Sequence, residues 1–142
     1  MTRTHWITLA AVCLVLAVLA PAAQAQNVNP VTSPDGKTRA QAKDSTITLI
    51  DIASGKELRS FRGHTGAVSA LAFSPDGRAL ASGGQDNTIA LWDLATGRLL
   101  AKIRTGAAIT ALTYSPDGKT LTSREADKSK KVFDAATGKR LE

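Results

Sequence analysis

A chain of 142 residues holds one domain at most, and this one carries 18 basic against 12 acidic side chains for a formal net charge of +6. One cysteine and two histidines leave no material for a disulfide framework and little for a metal centre. The basic balance suits anionic surfaces or polymers, although its plainest consequence is solubility.

In chain order, the first element is an export signal over residues 1–25. Arg3 supplies the positive start, Ile7 to Ala20 is an unbroken apolar run, and Ala23-Gln24-Ala25 gives the small-x-small pattern a signal peptidase requires. The run falls short of the ~20 residues that a membrane span needs. Cleavage after Ala25 leaves Gln26 as the new terminus and removes Cys13, so the mature chain has no thiol for a disulfide or for catalysis. Contact with a membrane is then limited to the passage of the signal, and the expected location is periplasmic or secreted. Outside the cytoplasm nucleic acid is a poor candidate partner.

After a short lead-in at residues 26–32, three repeats follow, at about 33–63, 64–104 and 105–142. They are marked by the tetrapeptide Ser-Pro-Asp-Gly, which starts at Ser33, Ser74 and Ser115, 41 residues apart each time. In this turn proline presets φ, aspartate bonds back to the chain, and glycine accepts the left-handed conformation that ends it. In the middle repeat Val68, Leu71 and Phe73 lead into the turn, Leu80 and Ala81 leave it, and Ile89 and Leu91 alternate with Ala90 and Trp92. Short, partly alternating apolar runs split by Gly, Asp, Asn and Pro read as strands. Each repeat is therefore a four-stranded antiparallel meander, with further corners at Gly83–Asn87 and at Thr96-Gly97-Arg98 and its counterparts. The first strand of repeat one is compressed into Asn27 to Thr32.

Gly63-His64, the turn Phe73 to Gly77, Ser82-Gly83, Asp86 and Trp92-Asp93 resemble the WD-repeat β-propeller family, and weaker copies extend the likeness over about residues 31–142. The resemblance implies an all-β fold, a partial β-propeller of about three four-stranded antiparallel blades. It also implies that His64, Ser82, Asp86 and Trp92 form a hydrogen-bonded structural tetrad that fixes the geometry of one blade. That accounts for a histidine, a serine and an aspartate that would otherwise suggest a hydrolase, since no nucleophile elbow accompanies them. The aspartates stand singly at turns without calcium-loop spacing, and Gly83-Gly84 lacks the lysine and helix of a phosphate loop. No metal, cofactor or enzyme activity is expected.

The outer repeats depart from the pattern. In repeat three Thr105 stands at the histidine place, Phe133 at the tryptophan place, and Lys130 replaces Ile89, which would set an ammonium group in the core or against a neighbouring blade. Repeat one has Ile50 for the tryptophan. Polar outer repeats fit the capped ends of a short array, a decaying gene, or a chain completed by another, and the stop at Leu141-Glu142 falls just into a fourth strand. Closed propellers need about four to eight blades, so two copies set head to tail would close a six-blade homodimer ring.

The leading functional expectation is a non-catalytic exported module for protein interaction or assembly, with Arg62, Thr65 and Arg104 on blade loops as the candidate contact surface. One alternative is a binder of anionic surface or polymer through Arg59, Arg62, Lys102, Arg104, Lys128, Lys130, Lys131, Lys139 and Arg140. The other is a remnant of a longer propeller protein without its own function.

Overall fold

A computed structural model of the chain describes residues 28–141, so the export signal read at 1–25 lies outside the described residues. Eleven strands and no helix are described, in three antiparallel sheets. The first sheet runs β1 (Val28–Thr32), β2 (Thr38–Lys43), β3 (Thr46–Asp51) and β4 (Glu57–Arg62). The second runs β5 (Val68–Phe73), β6 (Ala79–Gly84), β7 (Thr88–Asp93) and β8 (Leu99–Arg104). The third has β9 (Ile109–Tyr114), β10 (Thr120–Glu125) and β11 (Lys130–Asp134). At the place of its fourth strand stands one bridge, Phe133 opposite Arg140, extended by the bond from Leu141 N–H to Val132 O at 2.7 Å.

The segment ahead of the first Ser-Pro-Asp-Gly supplies β1. It bulges between Val28 and Val31, around Pro30, which has no N–H to give the ladder. Each Ser-Pro-Asp-Gly closes in the same way. Gly77 N–H donates to Ser74 O at 2.9 Å, Ser74 Oγ donates to Asp76 Oδ1 at 2.6 Å, and that carboxylate accepts Arg78 N–H at 3.0 Å. Gly36, Gly77 and Gly118 all sit at φ +72°, the conformation that only glycine adopts at low cost.

Alternation along the strands sorts the side chains to two faces and sets how the sheets stack. On the middle sheet Leu71, Leu80, Ala90 and Trp92 face the first sheet and meet Ala40, Ile47, Leu49 and Phe61. Its opposite face, with Ala70, Ala81, Ile89 and Leu91, meets Ile109, Leu112, Leu121 and Phe133 of the third. The middle sheet is thus buried on both sides and the outer sheets on one. Lys130 therefore does not enter a core. It lies on the outward face of the third sheet, exposed, where its counterpart Ile89 is 0% exposed.

A meander puts alternate corners at opposite ends. One end gathers the β2–β3, β6–β7 and β10–β11 corners and the sheet-to-sheet connections, tied by Val68 N–H to Asp44 O at 2.7 Å and Thr105 N–H to Asn87 O at 2.8 Å. The three Ser-Pro-Asp-Gly turns lie at the other end.

Candidate functional site

The sheet-to-sheet connection leaving β4 carries His64, β6 carries Ser82, the β6–β7 corner carries Asp86, and β7 carries Trp92. Trp92 Nε1–H donates to Ser82 Oγ at 2.9 Å, and Ser82 Oγ meets His64 Nε2 at 2.7 Å. His64 Nδ1 lies 3.1 Å from Asp86 Oδ2. Every donor and acceptor in this chain is used if Ser82 O–H donates to Nε2 and Nδ1–H donates to the carboxylate.

Asp86 also accepts Thr65 N–H at 2.9 Å and the Thr88 hydroxyl at 2.7 Å. Burial by itself would raise its carboxyl. The bonds from Thr88 and Thr65 and the nearby imidazole outweigh burial and hold it at about 2. Gly84 makes the pairing fit, because a Cβ there would lie 2.6 Å from Asp86 Oδ1 and 2.8 Å from His64 Nδ1. Serine oxygen, imidazole and carboxylate here brace a connection and a corner. The serine is 0% exposed, closed off from any substrate.

In the third sheet the same place is built differently. With Thr105 for the histidine and Phe133 for the tryptophan, Ser123 Oγ is buried without a hydrogen-bond partner. The counterparts of Gly84 and Ala90 are Glu125 and Lys131. Lys131 Nζ reaches Glu125 Oε1 at 2.7 Å and Oε2 at 2.8 Å, with the carboxylate side chain 0% exposed. A buried ion pair thus joins β10 to β11 beside the corner where the middle sheet uses imidazole and aspartate. The sequence reading missed this pair. The signal was a carboxylate and an ammonium appearing together, six residues apart, at two positions occupied by glycine and alanine one repeat earlier.

Arg62, Thr65 and Arg104 are all exposed at the end that carries His64. The longer set of basic residues is split. Arg59 Nη1 is bound to Thr96 O at 2.8 Å, Lys102 Nζ donates to Gly63 O at 2.9 Å, and Lys131 is in its buried pair. Lys139 and Arg140 fall at the Ser-Pro-Asp-Gly end. Arg62, Arg104, Lys128 and Lys130 of that set remain at the His64 end, where Lys43 and Arg124, outside the set, join them to make six exposed cations against two exposed carboxylates, Asp44 and Asp127. At the opposite end Lys37, Arg78 and Lys119 are offset by Asp35, Asp76 and Asp117 within the turns themselves. Among the described residues no group of three or more histidines, cysteines and carboxylates is gathered as a metal site would need.

A family model described as WD domain, G-beta repeat, matches residues 55–93. The small ribosomal subunit protein RACK1y of Oryza sativa subsp. japonica is 42% identical over 64 residues, 45% of this chain and 19% of that protein. The serine-threonine kinase receptor-associated protein of Homo sapiens is 41% identical over 59 residues, 42% of this chain and 17% of that one. The solved structure of U3-55K superposes with a TM-score of 0.76 at 28% identity, covering 80% of this chain and 37% of that chain. The chain therefore matches less than a fifth of the length of these two curated relatives.

Proposed function

Taking the chain as a member of the WD-repeat β-propeller family, we propose that it is an exported, non-catalytic module that binds or assembles other proteins through the loops at the His64 end. The observation that carries this reading is the arrangement of that end. A fully bonded tetrad braces one connection and one corner, and Arg62, Thr65 and Arg104 project beside them. Rigid corners cost little ordering entropy when a partner docks. A fold of this kind does not by itself identify a partner, so the site rather than the fold supports the choice of surface.

The test is photo-crosslinking in living cells with the full chain carrying p-benzoylphenylalanine at position 65, and at position 119 of the opposite end as the control. A discrete adduct from position 65 that is absent from position 119 is the expected result. Equal adducts from both ends, or none from position 65, would contradict the choice of surface. Export has its own readout: the chain recovered outside the cytoplasm should begin at Gln26, and retention of an uncut chain inside would contradict it.

A further inference from the structure

The outward face of the third sheet differs from its middle-sheet counterpart position by position. Ala72, Ala81, Gly83, Ile89 and Leu91 become Thr113, Thr122, Arg124, Lys130 and Val132. In the middle sheet these positions are packed by the third sheet, and Gly83 has no room for even a methyl group because Ile109 lies against it. In the third sheet that glycine position bears an arginine.

Two features of this corner work against stability. Arg124 and Lys130 are directly opposite each other in the β10–β11 ladder, where like charges repel. Lys128, in the corner between them, is held at φ +71°, a conformation that suits Asn87, its counterpart in the middle sheet at φ +62°, far better than lysine. Three cations are therefore concentrated where backbone and cross-strand preferences would select other residues. One exposed carboxylate, Asp127, shares the corner and accepts Ser129 N–H at 2.8 Å, while Asp134, opposite Thr120 at the far end of the ladder, is occupied by Ala136 and Thr137 N–H.

We infer that Arg124, Lys128 and Lys130, with Thr113, Thr122 and Val132 on the same face of the sheet, form a docking face for an acidic polypeptide segment. The inference rests on the protein-binding reading above and names its partner chemistry. Charge complementarity selects the sign. The absence of an aromatic side chain among these residues disfavours stacked bases, and the absence of a large exposed apolar side chain disfavours insertion into a bilayer. A second copy is also a poor occupant, since the outward face of the first sheet presents Arg39, Lys43 and Arg62 and would bring cations onto cations.

The experiment titrates the full chain against a fluorescein-labelled decaglutamate peptide at low salt, alongside Arg124→Gln/Lys130→Gln and, from the opposite end, Lys37→Gln/Lys119→Gln variants shown by circular dichroism to fold alike. The expected result is a Kd about tenfold weaker for the first pair and within about twofold for the second, with Lys130→Arg binding as the parent does. Equal losses in both pairs, no binding at all, tighter binding to phosphatidylglycerol vesicles or to a single-stranded oligonucleotide, or a stable dimer in sedimentation would each overturn the assignment. Loss of the peptide result with the position-65 crosslink intact would remove the partner chemistry alone. Loss of that crosslink with peptide binding intact would remove the loop surface alone.

Discussion

Ser82 and Ser123 occupy the same position in consecutive repeats, and both are 0% exposed, yet their surroundings give them opposite effects. Ser82 Oγ joins an indole N–H to an imidazole nitrogen, so Ser82→Ala leaves two buried groups without partners and should cost about 2–4 kcal/mol. Ser123 Oγ has no partner, so Ser123→Ala should be neutral or stabilising by up to about 1 kcal/mol. Urea unfolding of the two variants gives both values, and equal losses would refute the distinction. The tetrad also predicts an acid response. The Asp86 carboxyl is depressed from 3.8 to about 2, so its contribution, of the order of 2 kcal/mol, is complete above the unfolded value and is lost as pH falls from about 4 to about 2. Asp86→Asn should be less stable than the parent at neutral pH, and the gap should narrow on acidification through that window. The tetrad was legible through the resemblance to WD repeats, because the four residue types stand together in the middle repeat alone.

Among the elements, the third sheet shows what spacing could not convey. A reading that seeks His64 and Trp92 at their counterparts finds Thr105 and Phe133 and takes the tetrad as broken at two of its four places. The buried pair Glu125–Lys131 joins β10 to β11 beside the corresponding corner by another chemistry, and pairing across a ladder is visible only once register is known. Lys131→Ala should cost about 2–3 kcal/mol, below the ~3–5 kcal/mol of a fully buried pair, because the lysine side chain keeps 16% exposure. Glu125→Leu/Lys131→Met should recover most of that loss, and a double-mutant cycle in urea measures it. Lysine at φ +71° also predicts that Lys128→Asn raises stability by about 0.5–1 kcal/mol. A fall in its melting temperature would show that the lysine is held in that corner by contacts worth more than the strain. For Lys130 the sequence reading left the core and the face toward a neighbouring blade both open, and the structure has it exposed on the outward face. Repeat alignment assigns a residue to a face, but whether another sheet covers that face depends on the assembled array.

For the whole molecule, the three units, their strands and their turn chemistry were readable from a 41-residue period and alternating apolar positions. Which faces are covered and how the charge divides between the two ends required the stacking. One sheet is buried on both sides and two lean on it, so stability should fall outward from the middle. Cations collect at the end braced by the tetrad and on the two outward faces, while the Ser-Pro-Asp-Gly end balances its own charge. That arrangement makes a rigid centre with chemically distinct surfaces around it, and the proposed binding role depends on the centre being formed without a partner. Amide hydrogen exchange on the full chain tests this most directly. Slowest exchange in β6 and β7, intermediate in β3 and β10, and fastest in β1 and β11 is the expected order. Exchange in β6 and β7 as fast as in β1 would contradict the account, since the middle sheet would then not be the folded core on which the rest is built.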